Sequence, residues 1–237
     1  MTTDIPALIA SLDWSDIAVR LDEDSYAIAG SFLSKPECAA LAGTYQAEDK
    51  FRSRVVMARH GFGRGEYKYF AYPLPGIVAG LRVALYPPLA RIANTWNERL
   101  GVDIRYPETH AEYLARCHQA GQTKPTPLLL QYGEDDYNRL HQDLYGEHVF
   151  PLQAAILLST PGRDFTGGEF ILTEQRPRMQ SRAEVVPLGP GDCVIFPVRQ
   201  RPMQGARGDY RVNIRHGVSR VRSGRRHTLG LIFHDAQ

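Results

Sequence analysis

Residues 150–198 read FPLQAAILLSTPGRDFTGGEFILTEQRPRMQSRAEVVPLGPGDCVIFPV, and the punctuation of this stretch decides the fold class. Phe150–Ser159, Glu169–Thr173, Glu184–Pro187 and Cys193–Val198 are short apolar or alternating runs, each about one strand long. Pro161-Gly162, Gly167-Gly168 and Gly189-Pro190-Gly191 separate many of them with turn-forming residues. Outward from this block, Pro127–Tyr132 precedes it, and Tyr210–His216 and His227–His234 follow, with Ser223-Gly224 between the last two. Several short strands at this spacing predict an all-β sandwich or barrel over the second half of the chain.

Before Gly121 the pattern is mostly helical. Ser34-Lys35-Pro36-Glu37 reads as a helix start, with Ser34 at the cap, Pro36 in the first turn and Glu37 three residues after Ser34. Cys38, Leu41 and Tyr45 continue it at helical spacing. A second helix is expected from about Pro75 to Leu100, with Pro87-Pro88 as a candidate break, and a third from Thr109 to Ala120. Between the first two, Phe51–Pro73 is basic and aromatic and carries Gly61, Gly63 and Gly65, the marks of a loop or an irregular hairpin. The expected organisation is α+β: residues 1–237 as a single domain, 1–125 mainly helical support with a substrate loop, and 126–237 the β core.

The 237 residues are 43% hydrophobic and 23% charged, which supplies a sizeable core and excludes general disorder. No stretch approaches the ~20 consecutive apolar residues of a membrane span, so no membrane is expected. Met-Thr-Thr-Asp-Ile-Pro lacks the basic and apolar regions of a signal peptide. Cys38, Cys117 and Cys193 are widely spaced with no CxxC pair, which supports neither a disulfide scaffold nor a zinc ribbon. A cytoplasmic location is the expectation.

The net charge of +2 conceals polarity along the chain. Between Arg176 and Arg226 twelve arginines face only Glu184, Asp192 and Asp209, and Lys50, Arg52, Arg54, Arg59, Arg64 and Lys68 face only Glu66. Such segregation can build a face that attracts phosphates or acidic substrates, or it can be a solvated surface in a chain rich in arginine. Arg52, Arg54, Arg59, Arg64 and Lys68 are interleaved with aromatic residues that include Phe62, Tyr67 and Tyr69. Cations that follow phosphates beside rings that stack on bases would suit a nucleic-acid loop. In the plainer reading these rings fill a helix–sheet interface. Arg199–Arg207 is a second basic loop that could join the same face.

His141-Gln142-Asp143 carries the sharpest chemical signal. On a strand, i and i+2 share a face, so imidazole and carboxylate could project together as two thirds of a 2-His-1-carboxylate set for Fe(II). Alone, this spacing is common by chance. His216, ending a later strand-like run, is the candidate third ligand. Arg226, Thr228 and Gly230 share one face of the last strand, and a guanidinium fork beside a hydroxyl suits a buried carboxylate. His148, His227, His234, His60, His110 and His118 are not expected to bind the metal, and Cys193 reads as a buried small hydrophobe.

His141-x-Asp143, His216 and then Arg226 on a terminal strand resemble the Fe(II)/2-oxoglutarate-dependent oxygenases. Asp164-Phe-Thr-Gly-Gly-Glu-Phe170 resembles the FxGGEL strand of their prolyl-hydroxylase-like branch, and Pro187-Leu-Gly-Pro-Gly-Asp-Cys-Val-Ile-Phe196 its P..GxxxxF strand. This likeness covers about Pro127–Ala236. It implies a double-stranded β-helix (jelly-roll) core with N-terminal helices packed on one sheet. It also implies iron on His141, Asp143 and His216, with O2 and 2-oxoglutarate consumed to give succinate and CO2. Arg226 would grip the co-substrate's distal carboxylate, with Thr228 as a partner. Tyr132, nine residues before His141, matches in spacing a tyrosine near the co-substrate in AlkB-type oxygenases.

Arg52–Arg64 (RSRVVMARHGFGR), His141–Phe150 (HQDLYGEHVF) and Glu174–Ser181 (EQRPRMQS) are similar to a bacterial group of these oxygenases predicted to act on damaged, alkylated DNA. That likeness implies a single-stranded or damaged DNA partner and oxidative dealkylation with release of formaldehyde, and extends the resemblance over nearly the whole chain. One departure stands against it. AlkB-type enzymes carry a second arginine six residues beyond the first, where this chain has Ile232. A hydroxylase of a prolyl or other peptide side chain, or of a small metabolite, is the alternative. A non-catalytic jelly-roll binding module is a third reading, against which the intact His141, Asp143, His216 and Arg226 set argues.

Overall fold

The computed structural model describes residues 3–237. Helices α1 (Ile5–Ala10) and α2 (Trp14–Glu23) lead to strand β1 (Ala27–Ser31) and helix α3 (Lys35–Gly43). Strands β2 (Phe51–Val56), β3 (Gly63–Arg64) and β4 (Glu66–Phe70) come next, followed by helices α4 (Gly76–Arg99) and α5 (His110–Gln119). The second half is β5 (Leu128–Tyr132), β6 (Tyr137–His141), β7 (Leu152–Leu157), β8 (Phe165–Gly167), β9 (Phe170–Gln175) and β10 (Arg182–Val186). It closes with β11 (Asp192–Pro197), β12 (Gln200–Gly205), β13 (Gly208–Val218), β14 (Val221–Gly224) and β15 (Arg226–Leu231).

Two antiparallel sheets face one another as a jelly roll. The larger has the order β1-β11-β7-β15-β5-β4-β2, and the smaller β10-β9-β13-β6-β3 with β12 on β13. Ala155, Val194 and Phe196 of the larger sheet pack against Phe170, Leu172, Val212 and Ile214 of the smaller. The other face of the larger sheet, through Leu129, Ile156, Ile195 and Leu229, is covered by Leu81, Leu85, Tyr86 and Trp96 of α4. Burial on both faces explains why β7 reads as a continuous apolar run rather than an alternating one.

The helix starts follow their caps. Ser34 with Glu37, and Thr109 with Glu112, each form a reciprocal capping box. Helix α4 differs from expectation, because it runs through Pro87 and Pro88 without a break. Each proline removes one backbone hydrogen bond at a cost of ~3 kcal/mol, but the turns on either side bury ten side chains. The same helix is long and apolar enough to cross a membrane by length and composition, and half of that window is buried inside the protein.

The first 125 residues are also less purely helical than their pattern suggests, since they supply β1 to β4. β1 pairs with β11, β4 with β5, and β2 closes that edge of the larger sheet. β3 crosses over to pair with β6 of the smaller sheet. Gly63 makes this crossing possible: its φ is +144°, and a Cβ there would collide with the Tyr137 carbonyl oxygen. The Phe51–Pro73 segment is thus a hairpin stitched to both sheets rather than a loop free to close.

Candidate active site

His141 is the last residue of β6, and Asp143 lies beyond the strand in an irregular segment. Strand alternation is therefore not what brings the two together. β13 does part of the work, because His216 stands directly opposite His141 in the strand register. The two imidazole rings are 4.2 Å apart between centroids. Asp143 Oδ1 is 3.5 Å from His141 Nε2, and Oδ2 is 3.3 Å from His216 Nε2. Among the described residues these three form the one cluster whose ligand atoms all fall within 4.8 Å. His141 Nδ1 meets the Arg139 carbonyl at 2.7 Å, which fixes the ring and leaves Nε2 toward the cluster. Burial pushes the Asp143 carboxyl upward, but hydrogen bonds from His141 and His216 outweigh it and hold the group well below the usual carboxylate range. None of the other histidines enters the cluster.

Arg226, Thr228 and Gly230 of β15 all face the cavity beside this cluster. Arg226 is 2% exposed; its Nη1 donates to Thr228 Oγ1 at 2.5 Å, and its Nε has no partner. Tyr132 pairs with Arg226 across β5 and β15, lies 5.7 Å from the guanidinium, and leaves its buried hydroxyl without a partner. Burial pushes the guanidinium down to about 10, the mark of a cation lacking a close counter-charge. Two imidazoles and one carboxylate are a fitting donor set for Fe(II), and the unpartnered arginine and tyrosine atoms fit a bound carboxylate.

The cavity holds about 410 Å³, and its walls include Tyr67, Leu128, Leu130, Tyr145 and Ile232. Two polar residues that the sequence reading did not single out stand at its centre. Gln153 Nε2 is 3.4 Å from His216 Nε2, and the Tyr145 hydroxyl donates to Asp143 Oδ1 at 2.9 Å. Gln153 did leave a signal: it is the lone amide inside the apolar run 152–158.

A family model described as "Oxygenase, catalysing oxidative methylation of damaged DNA" matches residues 65–236. The chain belongs to this oxygenase family. The oxygenase is 51% identical over 167 residues to an uncharacterised protein of Mycobacterium tuberculosis (strain ATCC 25618 / H37Rv), spanning 70% of this chain and 72% of the relative. Its fold is similar to that of a Pseudomonas putida prolyl-4-hydroxylase, at 14% identity and TM-score 0.53, covering 92% of this chain and 96% of the other. A Burkholderia pseudomallei oxidoreductase of the 2OG-Fe(II) oxygenase family matches at 17% identity and TM-score 0.55, covering 95% and 94%.

The structure divides the oxygenase's basic aromatic segment. Lys68 does not reach the cavity: it is buried on the helix side of β4, where Nζ donates to the Tyr45 carbonyl and to Glu48. Tyr67 and Tyr69 alternate with it and face inward, Tyr67 lining the cavity and Tyr69 buried against Leu128 and Ile232. Arg52 donates to the Pro125 carbonyl and lies 4.5 Å over the Tyr69 ring, while Arg54 is paired with Glu66. Arg64 stands 3.9 Å from Asp136. Arg59 remains exposed and without an ion pair among the described residues. In the second basic loop Arg201 is an exception, fully buried against Glu174 at 2.5 Å. Phe62, Leu140 and Leu144 are 48%, 46% and 45% exposed, and all three line the cavity. Arg139, exposed and also without an ion pair among the described residues, stands beside them.

Proposed function

We propose that this oxygenase removes N-linked alkyl groups from damaged DNA, with Fe(II) held by His141, Asp143 and His216 and 2-oxoglutarate held by Arg226. The observation that carries the reading is the cavity rim. Exposed Phe62, Leu140 and Leu144 stand with uncompensated Arg139 around a cavity that reaches the His–Asp–His cluster. Rings that stack on bases and cations that meet phosphates are what such a substrate needs, and the family description supports the same class.

Bound iron supplies the O2 chemistry that couples decarboxylation of 2-oxoglutarate to hydroxylation of a C–H bond. The chain supplies position and shelter. Arg226, with Thr228 bracing its Nη1, offers its remaining donors to the distal carboxylate, and the Tyr132 hydroxyl adds another. Leu128, Leu130 and Ile232 keep water from the wall where the alkyl group would lie. The base must leave its stack to enter, so unpaired or flipped nucleotides are the substrates. Hydroxylation of an N-methyl group gives a hemiaminal that collapses to formaldehyde and the restored base.

The test is incubation with Fe(II), 2-oxoglutarate and N-methylated single-stranded oligonucleotides, with succinate and formaldehyde quantified together after oxygen is admitted. Matched yields, absent with unmethylated DNA, support dealkylation. Succinate stimulated instead by prolyl peptides or small metabolites, with no formaldehyde from any alkylated DNA, overturns it. One observation favours that second reading: six residues beyond Arg226, where AlkB-type enzymes carry a second arginine, this chain has Ile232.

A further inference from the structure

The two oxygens of Asp143 are not equivalent. Oδ2 faces His216, whereas Oδ1, 3.5 Å from His141 Nε2, also accepts a hydrogen bond of 2.9 Å from the Tyr145 hydroxyl. Neither residue belongs to a strand, so no ladder of backbone hydrogen bonds orders them. Gln122, three residues beyond the end of α5 and fully buried, takes that role. Its Nε2 donates to the carbonyls of Tyr145, His148 and Asp235 at 3.3, 3.1 and 2.6 Å, and its Oε1 accepts from the His148 N–H at 2.7 Å. Gly146 lets the chain pass this close: its φ is +81°, and a Cβ would stand 2.5 Å from the Gln122 amide carbon. The Tyr145 ring meets Tyr69 edge-on at 6.4 Å, and Tyr69 meets Tyr67 likewise at 5.3 Å. The hydroxyl is thus held on Asp143 from the backbone side and the ring side alike.

We propose that Tyr145 is a positioning residue that keeps Asp143 a one-oxygen metal ligand. A carboxylate that offers both oxygens takes two of the six positions around a divalent ion. The hydrogen bond from Tyr145 engages Oδ1 and leaves Oδ2 to bind. With His141 and His216 as the other ligands, an ion held there would keep positions free for a 2-oxo acid and O2. The inference rests on the reading of His141, Asp143 and His216 as the metal site.

The experiment uses Co(II), a spectroscopic substitute for Fe(II), with the wild-type chain and Tyr145→Phe, which keeps the ring and its packing. Metal-free melting temperatures are compared first and are expected to match. Co(II) is then titrated with visible absorption recorded, and 2-oxoglutarate is titrated into the loaded proteins by calorimetry. In Tyr145→Phe the Co(II) ligand-field bands are expected to change, Co(II) affinity to fall by about 10-fold or more, the usual scale for losing an outer-shell hydrogen bond, and 2-oxoglutarate to bind more weakly. Identical bands and identical 2-oxoglutarate affinity in the two proteins overturn the role of Tyr145 while leaving the site intact. If His141→Ala binds Co(II) as the wild type does, the metal site lies elsewhere and the inference falls with it.

Discussion

Among the described residues three large side chains are fully buried arginines, and they differ in what meets them. Arg82, on α4, donates to Asp235 at 2.7 Å, to the carbonyls of Ile232 and His234 at 2.8 and 3.0 Å, and to the Tyr72 hydroxyl at 3.0 Å. Arg201, on β12, meets Glu174 at 2.5 Å, Ser25 at 2.6 Å and the carbonyls of Asp22, Glu23 and Pro202. Arg226 has Thr228 and the cavity. The first two are saturated and tie the helical elements to the β core across more than 150 residues of sequence. The third is a buried cation whose partner has to come from outside. A buried charge with every donor used is a staple, and one with donors to spare is a receptor.

The largest test of this contrast lies next to Arg226. His141→Ala or Asp143→Ala is expected to take iron-dependent succinate formation to background with little change in melting; retained turnover removes the cluster from the mechanism. The next test separates the arginines themselves. Arg82→Met and Arg201→Met each take a buried guanidinium from a buried carboxylate, leaving Asp235 with only His118 and Tyr72 and Glu174 with only Arg176 and Ser25, and are expected to cost up to ~3–5 kcal/mol in urea unfolding. Arg226→Met takes a partner from no carboxylate, so its stability should equal or exceed the wild type, while its 2-oxoglutarate Kd rises about 10–100-fold, matching the ~1.5–3 kcal/mol of hydrogen bonds to a charged group. Equal destabilisation by all three would break the comparison.

A smaller effect comes from histidines beside the same arginines. Burial, then the charge of Arg82, lowers His110 to about 4; burial, then Arg225 and Arg226, lowers His227 to about 4. Both stay neutral in the fold while the unfolded chain protonates near the ordinary 6.5. Their contribution to stability is complete above pH 6.5 and is lost as pH falls toward 4. Melting temperature measured across that window should decline, and His110→Gln should flatten the decline. The smallest expected change is at the rim: Arg139→Ala should weaken single-stranded DNA binding a few-fold and shallow its salt dependence by about one phosphate contact. Arg54→Ala, which breaks a pair with Glu66, should leave that slope unchanged.

Much of the β core was readable because alternation and turn residues act over a few neighbours. The run 150–198 announced β7, β9, β10 and β11 directly, and the i, i+2 rule put Arg226, Thr228 and Gly230 on one face. β6 was not readable: Tyr-Asn-Arg-Leu-His has no apolar face, because the strand runs along the cavity, with Asn138, Arg139, Leu140 and His141 all on its lining and Arg139 and Leu140 open to solvent. Lys68 looked like its exposed neighbours, yet the pairing of β4 with β5 turns it toward the helices. Gln122 carries no local signal, since its partners lie 23 to 113 residues away, and Tyr145, though two residues from Asp143, has its hydroxyl aimed back at that carboxylate only by the fold.

The sequence by itself determined the inventory: a series of short strands suited to a sandwich or barrel, three candidate metal-ligand side chains, and an arginine at the head of the last strand. These follow from residue type and short-range period, which survive without knowledge of the partners. Only the tertiary structure decided which buried arginine is left unsatisfied, why Asp143 reaches the histidines from beyond its strand, and which basic residues remain at the rim. Each of those depends on desolvation and on partners set by long-range pairing, where a cation 150 residues from its carboxylate is indistinguishable, along the chain, from one that has none.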